Sequence, residues 1–146
     1  MAVLRQTDRQ HFDTYGFVRV PDAFPAAAAA RMRDTVWAAL ADRGIRRDDP
    51  ATWTVEAPDH LQPLKREPVF GEIGTARTLG AIEDLLGRAV RPADWGAYFV
   101  LFPTSREWTV PAAGWHVDHP WTDPVTPLRG LKVQSMFGDV ARAPAA

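Results

Sequence analysis

Trp95-Gly96-Ala97-Tyr98-Phe99-Val100-Leu101-Phe102 is the stretch on which the fold turns. It is aromatic and β-branched and lies between Pro92 and Pro103. That composition predicts a strand, because such side chains fit a pleated, half-buried surface. If it is a strand, the chain reads as helices first and strands later, which is an α+β pattern with an antiparallel sheet.

Upstream, the helix signals are regular. Thr7-Asp8-Arg9-Gln10 has capping-box spacing and predicts a short helix from about Asp8 to Tyr15, ended by Gly16. Phe17-Val18-Arg19-Val20 alternates as a short strand does, and Pro21 closes it. Pro25 suits the first turn of a second helix and Gly44 its exit. Within that helix Met32, Val36 and Leu40 recur every fourth residue, with Ala29 and Ala39 nearby, forming one apolar stripe. Residues 45–70 lose periodicity and contain Pro50, Pro58, Pro63 and Pro68, which predicts a long loop with a helical turn near its end. A third helix is predicted from Thr75 to Leu86, with Leu79, Ile82, Leu85 and Leu86 on one face and Gly87 as its stop.

Downstream, Trp115–Val117 reads as a short strand, and Leu131–Val140 opens with Leu131, Val133 and Ser135 facing opposite to Lys132 and Gln134. About four strands are visible, where a closed jelly roll needs about eight. The expectation is a single domain over 1–146, mainly helical over 1–90 and carrying its first core strands over 91–140.

Bulk composition narrows the function. A chain of 146 residues builds one domain with a real core. Lys and Arg total 17 against 18 for Asp and Glu, so no net field attracts nucleic acid or an acidic membrane. The charge balance points to small-molecule chemistry or a protein partner, and a small-molecule substrate is the expectation. Cysteine is absent, which removes disulfides, thiolate metal sites and cysteine nucleophiles together. The start, MAVLRQTDRQHF, lacks the apolar core of a signal peptide, and the alanine run 26–30 is too short to span a bilayer. A soluble cytoplasmic protein is the default expectation.

The chemistry concentrates in Gly114-Trp115-His116-Val117-Asp118-His119-Pro120-Trp121. In an extended segment alternate side chains share a face, so His116 and Asp118 project together. One imidazole nitrogen and one carboxylate oxygen are two of the three ligands in the facial triad of non-haem Fe(II) oxygenases. The third is a second histidine from elsewhere. The tripeptide alone is better read as a hydrogen-bonded His–Asp pair in a loop.

Context adds to it. His11–Ala23, HFDTYGFVRVPDA, resembles the opening of the phytanoyl-CoA dioxygenase family: a helix, then an F..GF..V...F pattern, then a second helix. Asp13, Gly16, Phe17, Val18, Val20 and Phe24 occupy the matching positions. Leu85-Leu86-Gly87, the aromatic stretch before the metal motif, and Trp115-His116-x-Asp118 follow in the family's order.

The resemblance covers nearly the whole chain but only the N-terminal part of a family domain. It implies N-terminal helices packed on a partial double-stranded β-helix, jelly-roll-like and truncated here. It also implies an Fe(II)- and 2-oxoglutarate-dependent oxygenase using O2, with His116 and Asp118 as iron ligands. Halogenating relatives replace the carboxylate by a small residue, so Asp118 implies hydroxylation. Gln134 falls where the family contacts 2-oxoglutarate; the same residue fits a solvent-facing position on a half-buried strand.

The family's second histidine and its 2-oxoglutarate-binding arginine lie well downstream of the metal motif. Here the last histidine is His119, and Arg142 falls in the tail. His11 and His60 precede the motif, on the wrong side of the topology. The expectation is a fragment that is not competent alone, and the competing one is a catalytically inactive remnant or partial jelly-roll binding module. An open half-barrel would expose strand edges and aggregate.

Asp118-His119 is similar to the end of the metallo-β-lactamase motif His-x-His-x-Asp-His, but Gly114 stands where that motif needs histidine. His119 and Trp121 are candidates for the substrate pocket, His119 having a solvated loop position as its alternative and Trp121 a core one. Trp115 reads as core, Lys65 as an exposed lysine, and Arg43, Arg46, Arg47, Asp48 and Asp49 as a solvated helix end.

Overall fold

The computed structural model describes residues 2–92, 95, 100–103, 128 and 130–138. Three α-helices dominate them: α1 (Gln6–Tyr15), α2 (Ala26–Ala41) and α3 (Ala76–Leu86). Between α2 and α3 run three 3-10 turns, Pro50–Thr52, Gln62–Arg66 and Pro68–Ile73.

Each helix stops where its sequence says it should. Gly16 takes φ 77° and donates its N–H to Phe12 O at 2.8 Å. Gly44, at φ 78°, holds the left-handed position of a Schellman motif: its N–H reaches Ala41 O at 2.9 Å, and the Ile45 N–H reaches Leu40 O at 3.1 Å. That closure delivers Ile45 into the core.

The starts are less literal. α1 begins two residues before the predicted position, and Thr7 is not its cap. Instead the Asp8 carboxylate accepts the Arg5 backbone N–H at 3.0 Å and pairs with the Arg5 guanidinium. Pro25 stands one residue before α2, not in its first turn. α3 starts as expected, with the Thr75 hydroxyl accepting the Thr78 N–H at 3.1 Å and also donating to Ala23 O. Thr75→Ala is therefore expected to cost about 1 kcal/mol for the cap alone, and more with the Ala23 tie, read as a lowered urea midpoint with unchanged slope.

The predicted long loop contains structure that its prolines set up. Pro50, Pro63 and Pro68 each open a 3-10 turn, where a fixed φ is an advantage and the missing N–H would be unpaired anyway. The last of these turns buries Phe70 and Ile73.

The α2 stripe of Met32, Val36 and Leu40, extended by Ala28, is buried as its four-residue period requires. It packs on the third 3-10 turn, with Ile45, Leu61 and Phe102 completing the cluster. Burying side chains such as Met32, Leu40 and Phe70 stabilises the fold by about 1.5–3 kcal/mol each. On α3 the buried residues are Thr78, Ala81 and Ile82; Leu79, Leu85 and Leu86 of the predicted face are only half-buried.

The β-sheet expectation is overturned. Among the described residues there is no strand, so α+β with a partial double-stranded β-helix is not the architecture found; the described part is helical. A strand exists only if a neighbour completes its ladder. Residues 17–20 form no backbone ladder with any described segment. Within Trp95–Phe102, Phe102 donates a single backbone bond to Glu56 O at 2.8 Å, and its ring enters the helical core while Leu101 stays 74% exposed. Over 131–138 Val133 and Met136 are exposed and Phe137 packs on the core, which is not the predicted two-residue alternation. Among the described residues Phe102 and Phe137 thus pack on the helical core and not on a sheet. The expected strand at Trp115–Val117, and the parts of the others at 96–99 and 139–140, lie outside the described residues.

Candidate functional site

The sequence-predicted site divides sharply. His116, Asp118, His119, Trp121 and Trp115 lie outside the described residues. Gln134 is described: it is exposed on the segment 131–138, which forms no strand and meets α2 where the Phe137 carbonyl accepts from Arg33. Its half-buried-strand alternative fails with the strand, while its solvent exposure stands.

Of the other two histidines, His11 is exposed on α1, its ring 4.6 Å from Tyr15 and 4.8 Å edge-on from Phe17. His60 has φ 56°, a left-handed backbone that is uncommon outside glycine, and its imidazole lies 3.2 Å from the Asp59 carboxylate. Arg43 fixes this turn by donating to the carbonyls of Asp59 and His60, the latter at 2.6 Å. Among the described residues no three histidine, aspartate or glutamate side chains converge on a point where a metal would sit.

Several charged groups do more than the sequence suggested. The arginine cluster after α2 is engaged: besides Arg43, Arg46 pairs with Asp49 at 2.7 Å and Arg47 with Asp34 at 3.1 Å. Lys65 is half-buried with an interaction partner, not a solvated lysine. The Arg31 guanidinium pairs with Glu72, bridging α2 to the third 3-10 turn and holding that carboxyl below its usual range.

Asp84 on α3 is the most connected carboxylate. It accepts the Val3 N–H at 2.6 Å and the Leu4 N–H at 2.8 Å, and pairs with Arg9 at 2.9 Å. Val3 is thereby drawn onto Gly80, where an added Cβ would stand 2.6 Å from Val3 Cγ2; only glycine allows the approach. The Leu4 amide above all, then the Val3 amide and Arg9, lower the Asp84 carboxyl from its ordinary value against an opposing desolvation.

Because its folded-state value is depressed, this carboxylate contributes its stability above the unfolded value and loses it as pH falls through the folded one. Asp84→Ala is expected to cost about 1.5–3 kcal/mol at pH 7, with the difference from wild type shrinking as pH falls below the unfolded-state value and through the lower folded-state one. Urea melts in a series from pH 7 down into acid measure both. An undiminished difference at the lower pH would show that packing, not charge, makes the clasp.

Two shallow clefts border the helices. One, of about 330 Å³, lies between the entry to α2 and the start of α3, against Phe24, Pro25, Thr75 and Arg77. The other, of about 560 Å³, lies beside the Arg43 turn, against Ile45, Thr52, Val55 and Asp59. Neither is lined by a sequence-predicted site residue.

An aromatic stack also escaped the sequence reading. Trp53 lies 4.8 Å from Phe102 at 15°, and Trp37 stands 5.9 Å from each. Local periodicity carries no signal for it, since its members come from three separate segments. Compared with protein-family models, curated proteins and solved structures, the chain matches none.

Proposed function

We propose that this chain is part of an Fe(II)- and 2-oxoglutarate-dependent oxygenase that hydroxylates a small organic substrate, with His116 and Asp118 as two of its three protein ligands to iron. The observation that carries this reading is the order of motifs: His11–Ala23, then Leu85-Leu86-Gly87, then Trp115-His116-x-Asp118. The helix, left-handed glycine and second helix over residues 6–41, and the glycine stop after α3, support the first two parts of that order.

The donor set fits the metal. A neutral imidazole and a carboxylate suit Fe(II), and with one further nitrogen they leave three coordination positions for a bidentate 2-oxo acid and O2. Iron with 2-oxoglutarate supplies the oxidising power that no side chain has. What this chain contributes is orientation. His116 must present an unprotonated nitrogen and Asp118 an ionised oxygen, so metal affinity falls in acid as either takes a proton. Gln134, exposed on its segment, is free to donate an amide N–H to a 2-oxoglutarate carboxylate.

On this reading the second histidine and the arginine clamp come from outside these 146 residues. The test supplies the missing donor chemically. Fe(II) and 2-oxoglutarate are added anaerobically to the chain, with and without imidazole, and the weak visible charge-transfer band is recorded, followed by succinate after O2 is admitted. A band that imidazole strengthens, with succinate formed, is the expected result. Neither band nor succinate in any mixture rejects the oxygenase in favour of an inactive remnant.

A further inference from the structure

Helix α1 hangs on a single side chain. It buries none of its residues, whereas α2 buries Ala28, Met32, Val36 and Leu40. Among the described residues, every hydrogen bond and ion pair that leaves residues 3–16 ends on Asp84. The Asp84 carboxylate takes the Val3 and Leu4 amides and one nitrogen of the Arg9 guanidinium, and its backbone carbonyl takes the other. The apolar seating is equally local: Leu4 is buried, and Val3 lies against Gly80.

The chain beyond α1 is anchored separately. Pro21 O accepts the Arg77 Nε–H at 2.8 Å, and Ala23 O accepts from the Thr75 and Thr78 hydroxyls. The Phe17 ring stays with α1, 4.8 Å from His11. Between Phe17 and Pro21, the residues Val18, Arg19 and Val20 make no hydrogen bond among the described residues. A few such residues between two fixed points can absorb the dihedral change of a hinge.

We propose that residues 3–17 form an arm that swings off α3 as one unit about Val18–Val20, latched by Asp84, while the α2 core stays folded. Opening breaks the bonds to Asp84 and unseats Leu4 and Val3, which is less than unfolding the cluster around Met32, Leu40 and Phe70. It bares the Gly80 face of α3 and frees the Asp84 carboxylate. Once detached, a helix as short as α1 does not persist in water, so its amides exchange with solvent. The device is independent of His116 and Asp118 and holds whether or not those residues bind iron.

Native-state hydrogen exchange of the whole chain tests it, comparing the α1 amides of Arg9 to Tyr15 with the α2 amides of Met32 to Leu40. In the wild type the α1 amides are expected to be protected, yet to exchange at least about 100-fold faster than those of α2. Their rates should also depend less on urea, because opening the arm exposes little surface. Phe70→Leu weakens the core that the open arm leaves intact. It is expected to speed α2 exchange about tenfold and to leave α1 exchange unchanged. Asp84→Asn, which keeps the shape and removes the charge, is expected to speed α1 exchange by about 10–100-fold, the worth of its charge-assisted hydrogen bonds.

One common rate and urea dependence for α1 and α2 overturns the proposal, and so does α1 exchange that Phe70→Leu speeds as much as that of α2. In either case α1 opens only with the core. Wild-type α1 amides as unprotected as those of an unfolded peptide overturn it too, since no latch then closes. So does α1 exchange that Asp84→Asn leaves unmoved. Should Asp84→Asn not fold, the wild type and Phe70→Leu decide by themselves.

Discussion

Phe70→Ala is expected to lower stability by about 3–5 kcal/mol, the cost of deleting a fully buried aromatic ring from a packed core. Phe70 is 1% exposed and sits on the third 3-10 turn, where it faces the α2 stripe and lies 5.9 Å from Phe137. Met32 and Leu40 are fixed on a helix, and the turn itself is held by the Arg31–Glu72 pair. For a domain whose total stability is about 5–15 kcal/mol, such a loss brings the folded state near its limit. Urea denaturation followed by tryptophan fluorescence reads it, since Trp37 and Trp53 pack on the same cluster. Phe70→Leu should lose less than half as much. A cost below about 1 kcal/mol for the alanine variant would mean that the core described here is not the one that holds the chain together.

His116→Ala and Asp118→Ala are each expected to lower Fe(II) affinity by more than about 100-fold, since even the outer-shell partners of metal ligands are worth about 10–100-fold. If His116 and Asp118 are the chain's ligands, as proposed, either loss leaves a single donor and the chelate is gone. The charge-transfer band should vanish in both, and added imidazole should recover part of it in His116→Ala, since it replaces like with like. Asp118→Ala should not be rescued by imidazole, because the missing group is an anionic oxygen. His119→Ala serves as the control, expected to leave the band unchanged. If His119→Ala removes the band while His116→Ala keeps it, the motif binds metal in another register.

The two predictions address parts of the chain that differ in how legible they were. Helix boundaries could be read because the groups that make them are close in sequence. Gly16, Gly44 and Gly87 adopt left-handed backbones that glycine alone takes without cost, and Thr75 caps the helix that follows it. The stripe of Met32, Val36 and Leu40 needed only the helical repeat.

The candidate site is a proposal from the spacing of His116 and Asp118, which lie outside the described residues. A two-residue alternation says which side chains share a face but not what stands opposite them.

What the amino-acid order determined by itself is therefore local: three helices, their glycine stops, a helical turn late in the proline-rich stretch after α2, and a candidate ligand pair. What only the tertiary structure decided is everything that needs a partner from far along the chain. The alternation in Phe17–Val20 and the aromatic run ending at Phe102 promised strands, but a strand requires a neighbour to complete its hydrogen bonds. Among the described residues Phe102 finds Trp37 and Trp53 instead. Asp84 likewise selects Val3 and Leu4 across about eighty residues, a choice no window of local sequence contains. The physical reason is the same in both cases. Caps and periodicities are settled within a few bonds of the residue that makes them, whereas pairing is a competition among all segments that the folded chain brings within reach.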